Sequence, residues 1–331
     1  MYNSGIVSEV IALQMDMNEK DVLRVLEEVT KREKETEKKV PSLSSFGSFR
    51  KDSSVPLISK LYLDKAVNLD YAIKYAQTRM WRALKVKSDF DISMEETQNN
   101  LKNYAESKTT FLILHVDLVD STRLSMTLPV NRLATIVRAF SQEISLIISA
   151  YGGYVLKYIG DAILAYFPLE SSDDFHIHCT NAVSCACSMI KVVDQGINPI
   201  LNQYDYPELR VRIGIDIGEN AVVQFGWDTH TLDGRIVLRD PHFDILGYTI
   251  SITAKMTAFA NPDQIVIGQL VYQILDDKQK AMFRLLPISP QIWNYLSDNT
   301  GGGIYRLYGS IKKRNDDSRD DHIDLGLGSD K

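Results

Sequence analysis

The chain has 331 residues, 44% of them hydrophobic, and a formal net charge of −6 at pH 7, which suits about two domains with ordinary cores. The acidic balance argues against a general nucleic-acid binder, which needs a basic face to meet phosphates. The sequence shows no apolar run long enough to span a bilayer. Its start, MYNSGIVSEVIALQ, lacks the basic region and cleavage pattern of a secretory signal. The expectation is therefore a cytosolic chain in which Cys179, Cys185 and Cys187 stay reduced.

Residues 4–14 and 18–39 read as helices, the second amphipathic at first through Leu23, Leu26 and Val29 and then polar all round. Their outline is that of a helix-turn-helix, but the turn has no glycine to help it, and a small regulatory or dimerising segment is expected instead. Residues 40–56 are Ser-rich with prolines near both ends, the composition of a linker. Residues 58–86 read as a helix, with Tyr71, Tyr75, Met80 and Trp81 as packing bulk. Residues 89–107 are polar and lead, as a helix, toward the apolar run that begins at Phe111.

The strongest pattern opens with FLILHVDLVDST and closes with GGYVLKYIGDAILAYFP, between residues 111 and 168. The run 111–119 is β-rich and too short for an ordinary helix. From 129 to 151, Leu133, Ile136, Val137, Phe140, Ile144, Ile147 and Ile148 recur at helical spacing, and Gly152 and Gly153 end the helix. Residues 154–158 and 162–167 read as strands joined by a turn at Ile159, Gly160 and Asp161. Asp117 and Asp161 thus stand in or beside apolar strands, where an unpaired carboxylate is costly to bury. Either acid alone could serve a turn. If the strands pair, both converge on one edge and repel unless a cation lies between them, and hard oxygen ligands suit Mg²⁺ or Mn²⁺.

Further on, His176, His178 and Cys179 belong to a solvated loop opening a helix over 178–193, since no second Cys/His pair stands at zinc-finger distance. Strands are expected at 208–217 and 221–225, separated by Gly218, Glu219 and Asn220, and an arm at 227–242. A helix running to about residue 260 is expected to open on Phe243, with Asp244 favoured near its N-terminus by the helix dipole. A strand at 264–267, a helix at 269–275 and a last strand at 304–308 complete the ordered part. The charged tail, 311–331, is expected to be disordered.

Taken together, these segments resemble the catalytic domain of the class III nucleotidyl cyclases, the adenylate and guanylate cyclase family. The resemblance rests on HVDLVDST, LKYIGDAILAYF, VRIGIDIGENAVVQFG and FDILGYTISITAKMTAFANPDQIVIG, which occur in the family's order, and it covers residues 108–310. It implies an α+β fold, a ferredoxin-like βαββαβ cyclase domain; the mainly helical N-terminal segment, 1–107, lies outside the resemblance and is expected, from its own pattern, to regulate or dimerise. It also implies conversion of a nucleoside triphosphate to its 3′,5′-cyclic monophosphate and pyrophosphate, by two-metal catalysis at sites shared by the subunits of a homodimer.

By this resemblance Asp117 and Asp161 match the family's metal-binding aspartates. The backbone carbonyl of Leu118 adds a ligand for the two Mg²⁺ or Mn²⁺ ions of each site. Ser121 and Thr122, leading into a helix, would present N–H groups to phosphate. Lys157 and Asp244 match the base-reading pair, which accepts from the adenine 6-amino group and donates to a ring nitrogen. That pair favours ATP, so the expected enzyme is a cytoplasmic adenylate cyclase. The extra acid Asp120 has no assigned role. The positions of the family's transition-state asparagine and arginine hold Ser251 and Lys255, which keep a short donor and a charge but lose the bidentate fork. One missing well-placed donor costs about 10²–10³ in rate, so the expectation is a slow cyclase, or one for another triphosphate such as a pyrimidine nucleotide. The competing readings are a cyclase-fold nucleotide-binding module with little activity and a DNA-linked regulator using residues 4–35.

Overall fold

A computed structural model describes residues 1, 4–37, 68–85, 94–169, 175–225, 229–232, 235–238, 242–296 and 302–311. The expected linker at 40–56 and the tail beyond residue 311 lie outside the described residues. In chain order, helices α1 (Ser8–Met15), α2 (Glu19–Glu37), α3 (Leu69–Lys85) and α4 (Glu95–Lys102) precede strand β1 (Lys108–Leu118). Then come α5 (Ser121–Thr127), α6 (Val130–Ala150), the hairpin β2 (Tyr154–Ile159) and β3 (Ala162–Pro168), and α7 (Phe175–Lys191). A π-helical stretch, Val192–Ile197, carries α7 into α8 (Asn198–Asn202), and β4 (Val211–Phe225) comes next. The chain continues through β5 (Thr229–Leu232), β6 (Arg235–Leu238), β7 (His242–Leu246), α9 (Tyr248–Thr257), β8 (Gln264–Gly268), α10 (Gln269–Ile274) and α11 (Asp277–Lys280). It closes with β9 (Phe283–Leu285) and β10 (Leu307–Ser310).

The run β1–α6–β2–β3–α7–β4 is the expected βαββαβ unit, and its sheet has the order β2-β3-β1-β4-β8-β10-β9, with β7 also paired to β4. β1 and β4 are antiparallel from Lys108↔Ala221 to Leu118↔Val211. β3 lies on the other side of β1, from Phe111↔Pro168 to Val116↔Ile163. The period-2 alternation of these strands sorts their side chains onto two faces. Leu112, Leu114 and Val116 of β1 and Val211, Ile213 and Ile215 of β4 enter one core with Ile136, Phe140 and Ile144 of α6 and with Cys179 and Val183 of α7. The opposite face, Phe111, Ile113, Leu164 and Tyr166, packs on Leu101 of α4 and on Val222, Phe243 and Ile245. The end of β4 and β7 therefore fold over the sheet. Farther along that face, α9 crosses so closely that a Cβ on Gly214 would meet Thr257 Oγ1 at 2.3 Å.

Of the described helices, α6 alone has the length and apolarity to cross a bilayer. Its Ile136, Phe140, Ile144 and Ile148 are buried in the core. The N-terminal helices dock on this core: Val10, Ile11, Met80 and Leu84 join it. Gln77 of α3 is fully buried and accepts from Val7 N (2.9 Å) while donating to Gly5 O (2.7 Å) and Gln195 O (2.8 Å). Arg79 of α3 grips both carboxylate oxygens of Glu143 on α6, with Nη2 at 2.5 Å from Oε2.

Two expectations are corrected. The two strands expected at 208–217 and 221–225 are one, Val211–Phe225, because Gly218 stays in register with Phe111 across the ladder. Gly218 marks a close approach, not a turn: a Cβ there would meet Thr249 Oγ1 at 2.4 Å. Asp244 does not stand at a helix N-terminus either. His242 to Leu246 pair with β4 from Phe225↔His242 to Ala221↔Leu246, and the helix starts only after Gly247. Burial of Phe243 and Ile245 against the sheet makes the segment a strand.

Candidate active site

The first cluster lies at the end of β1. The β1–β3 ladder stops at Val116↔Ile163, so Asp117 comes one step beyond it, level with the hairpin tip that carries Asp161. Gly160 takes the left-handed conformation (φ 64°) that this two-residue turn requires. Asp117 is cross-strand partner of Arg212, whose Nη2 lies 2.5 Å from Asp117 Oδ2. Asp161 Oδ2 is buried without a hydrogen-bond partner. His115 is buried and has Nδ1 at 3.2 Å from Thr257 Oγ1. Burial holds its imidazole below the ordinary value, Asp117 and Asp161 pull it up, and Arg212 pushes it down.

An unpartnered buried carboxylate oxygen is the kind of group a bound cation satisfies. Among the described residues no three His, Cys, Asp or Glu side chains gather at one point. A cation here would be held by Asp117, Asp161, the Leu118 carbonyl and the phosphates of a substrate, which is how Mg²⁺ is commonly bound. The residues fit such an ion. Leu118 itself is buried, and beyond it Asp120 takes a left-handed conformation (φ 55°, ψ 31°) that turns the chain into α5. Ser121, half-buried, and Thr122, exposed, occupy the first turn of that short helix.

The second cluster joins residues 87 positions apart. Lys157 Nζ lies 2.5 Å from Asp244 Oδ2, and Asp244 Oδ1 accepts from Ile245 N at 2.8 Å. The Asp244 side chain is 11% exposed and that of Lys157 40%, so the pair has a wet side open to a ligand. A β-bulge between Val155 and Lys157 aims the lysine.

The third group lies on α9. Ser251 and Lys255 are exposed and share a face, one turn apart. Lys255 Nζ donates to Tyr295 OH at 2.6 Å and sits 4.6 Å from the centre of that ring. Among the described residues, no hydrogen bond or ion pair links Ser251 or Lys255 to Asp117, Asp161, Lys157 or Asp244 within one chain.

Sequence reading passes over Arg212, Tyr295 and Gln98. Arg212 has a signal, since the alternation of Val211, Ile213 and Ile215 sends it to the face opposite the core, the side of β1 that Asp117 shares. Tyr295 and Gln98 have none, because their partners are distant in sequence and their surroundings polar.

Residues 103–288 match the family described as "Adenylate and Guanylate cyclase catalytic domain". Over 193 residues the chain is 27% identical to a cytidylate cyclase of Escherichia coli, an alignment covering 55% of this chain and 40% of that protein. A cytidylate cyclase of Staphylococcus aureus is 27% identical over 180 residues, 53% of this chain and 39% of the relative. The chain thus spans well under two thirds of the length of these relatives. Among solved structures, the adenylyl cyclase CyaB from P. aeruginosa is 19% identical with a TM-score of 0.49, covering 64% of this chain and 98% of its own.

Proposed function

The chain belongs to the adenylate and guanylate cyclase catalytic-domain family, and from that premise we propose that it cyclises a nucleoside triphosphate whose base carries an amino group beside a ring nitrogen. The observation that carries this is the Lys157–Asp244 pair. Asp244 accepts from an exocyclic amino group, and Lys157 donates to the neighbouring ring nitrogen. Adenine and cytosine both present that edge. Guanine and uracil present a carbonyl beside a ring N–H, which puts acceptor against acceptor and donor against donor. The resemblance of the pair to the family's adenine readers supports ATP. The cytidylate cyclases among the relatives support CTP, and we take CTP as the first substrate to test.

In the reaction the ribose 3′-oxygen bonds to the α-phosphorus, the bond from that phosphorus to the bridging oxygen breaks, and pyrophosphate leaves with release of the hydroxyl proton. Class III cyclase domains generally use divalent metals, which lower the pKa of the attacking hydroxyl and offset charge on the phosphates. Asp117, Asp161 and the Leu118 carbonyl would hold them. Arg212 pairs with the Asp117 carboxylate and holds its orientation. Ser121 and Thr122 offer donors to the phosphate tail. Ser251 supplies a hydroxyl donor and Lys255 a positive charge for the transition state, from a partner subunit in a homodimer.

The test is mass-spectrometric product analysis of the purified chain given ATP, CTP, GTP and UTP separately, with Mg²⁺ and with Mn²⁺. A 3′,5′-cyclic product is expected from CTP or ATP. It should fall at least about 100-fold in Asp117→Ala and Asp161→Ala, the scale of losing preorganised charge stabilisation. Product from GTP or UTP in preference would overturn the base reading. A nucleotide-binding module without turnover is the second reading, favoured by the engagement of Lys255 with Tyr295. Binding of a triphosphate with no product from any of the four would establish it.

A further inference from the structure

Helix α4 lies ahead of the segment that matches the family, yet it is bonded to both strands that carry Lys157 and Asp244. The Gln98 side chain behaves toward β7 as a neighbouring strand would. Its Nε2 donates to Phe243 O at 3.1 Å and its Oε1 accepts from Phe243 N at 2.7 Å. One residue on stands Asp244. The buried Thr97 hydroxyl donates to Val155 O at 2.8 Å, at the bulge that aims Lys157. Tyr166 of β3 donates to Asn100 Oδ1 at 2.9 Å, and the fully buried Leu101 packs with Phe243 and Ile245. Consecutive residues of one helix therefore fix the backbone beside each member of the base-reading pair.

β2 and β7 are not hydrogen-bonded to each other in the sheet. Their separation is set by what lies across them, and α4 has direct hydrogen bonds to both. The Lys157 side chain is flexible and part-exposed, so its reach to Asp244 depends on where the bulge holds its backbone.

We propose that Gln98 and Thr97 are positioning residues for base selection, holding Lys157 and Asp244 at the spacing that reads the base. This rests on the reading of those two residues as the base-recognition pair. Through α4, the part of the chain ahead of the matched segment gains a direct mechanical route to nucleotide preference.

The experiment uses the full chain and steady-state kinetics with all four triphosphates, alongside thermal melts. Gln98→Leu removes both bonds to Phe243, and Thr97→Val removes the bond to Val155 with little change of shape. For each variant KM for the preferred triphosphate should rise about 10-fold with kcat within about 2-fold, the effect of losing a well-made hydrogen bond to an aligned binding group. The ratio of kcat/KM between amino-bearing and carbonyl-bearing bases should fall by a similar factor. Gln98→Glu, which keeps the acceptor for Phe243 N, should fall between. Asp244→Ala is the control, and in its background Gln98→Leu should change the ratio no further. A collapsed ratio in Asp244→Ala with an unchanged ratio in Gln98→Leu and Thr97→Val, whatever their melting temperatures, would overturn the inference and leave the base reading intact. An unchanged ratio in Asp244→Ala would overturn both.

Discussion

At the scale of single residues, the contact between Lys255 and Tyr295 and the burial of Asp216 give distinct predictions. Tyr295 meets the Lys255 ammonium through its hydroxyl and its ring. It is held in turn by Trp293 at 4.8 Å between ring centres and by Tyr305 N, which donates to Tyr295 O at 2.8 Å. If Lys255 supplies charge to the transition state, Tyr295→Phe should lower kcat about 10-fold. Lys255→Ala should lower it by about 10²–10³. The double variant should be no slower than Lys255→Ala, because Tyr295 would act through the lysine; additive losses would separate the two. Asp216 is fully buried on β4. Its Oδ1 accepts from Tyr305 OH at 2.6 Å and from Ile217 N at 2.9 Å, and its Oδ2 has no partner. Burial pushes its carboxyl up from 3.8 to about 7. Below about pH 4 both folded and unfolded chains keep this proton. Between about pH 4 and 7 the unfolded chain releases it first, so folding stability falls as pH rises, by up to about 1.4 kcal/mol per pH unit. Asp216→Asn removes that slope. Urea unfolding from pH 4.5 to 8 should show the variant gaining on the parent chain as pH rises, and parallel curves would refute the assignment.

At the scale of elements, the N-terminal helices are tied to the catalytic core by few but buried groups. Gln77→Leu would leave Val7 N, Gly5 O and Gln195 O without their partner at a fully buried position. An unsatisfied buried group costs about 1–3 kcal/mol, so a loss of about 3 kcal/mol in urea-derived stability is expected. A smaller shift confined to the α1 signal in hydrogen exchange would mean that α1 simply detaches. These ties also show what sequence could reveal. The apolar periods of β1, α6, β2 and β3 were legible because each element buries one face, and Asp117 and Asp161 stood out against that apolar background. The pairing of Lys157 with Asp244 was legible only through family resemblance. Nothing local reports that β4 and β7 fold over the sheet, and FDILG looks like a helix start until Phe243 and Ile245 find Ile113 and Tyr166. Gln98 and Gln77 were silent for the same reason: a polar residue on a helix reads as solvated until its distant backbone partners are known.

At the scale of the whole molecule, the described chain keeps its groups apart in a way that bears on assembly. Asp117 lies with Arg212, level with the hairpin tip that carries Asp161, Lys157 lies with Asp244, and Ser251 and Lys255 are exposed on α9 with Tyr295. In the proposed homodimer each active site combines the acids of one subunit with the base-reading pair of the other. Isologous pairing through a two-fold axis then creates two equivalent composite sites. This arrangement predicts complementation. Asp117→Ala and Lys255→Ala homodimers should each lose most of their activity, since Lys255 comes from the same subunit as the base-reading pair and every site in each lacks one function. Mixed in equal amounts and allowed to exchange subunits, they form hybrids as about half of the dimers. Each hybrid has one site with both defects and one with neither, so activity should recover to about a quarter of the parent value. If instead each chain carried a self-sufficient site, the defects would never separate and mixing would restore nothing. Sedimentation of the mixture beside the activity measurement distinguishes that outcome from a failure to exchange, and mixing Asp117→Ala with Asp161→Ala, two lesions of one half-site, should give no recovery.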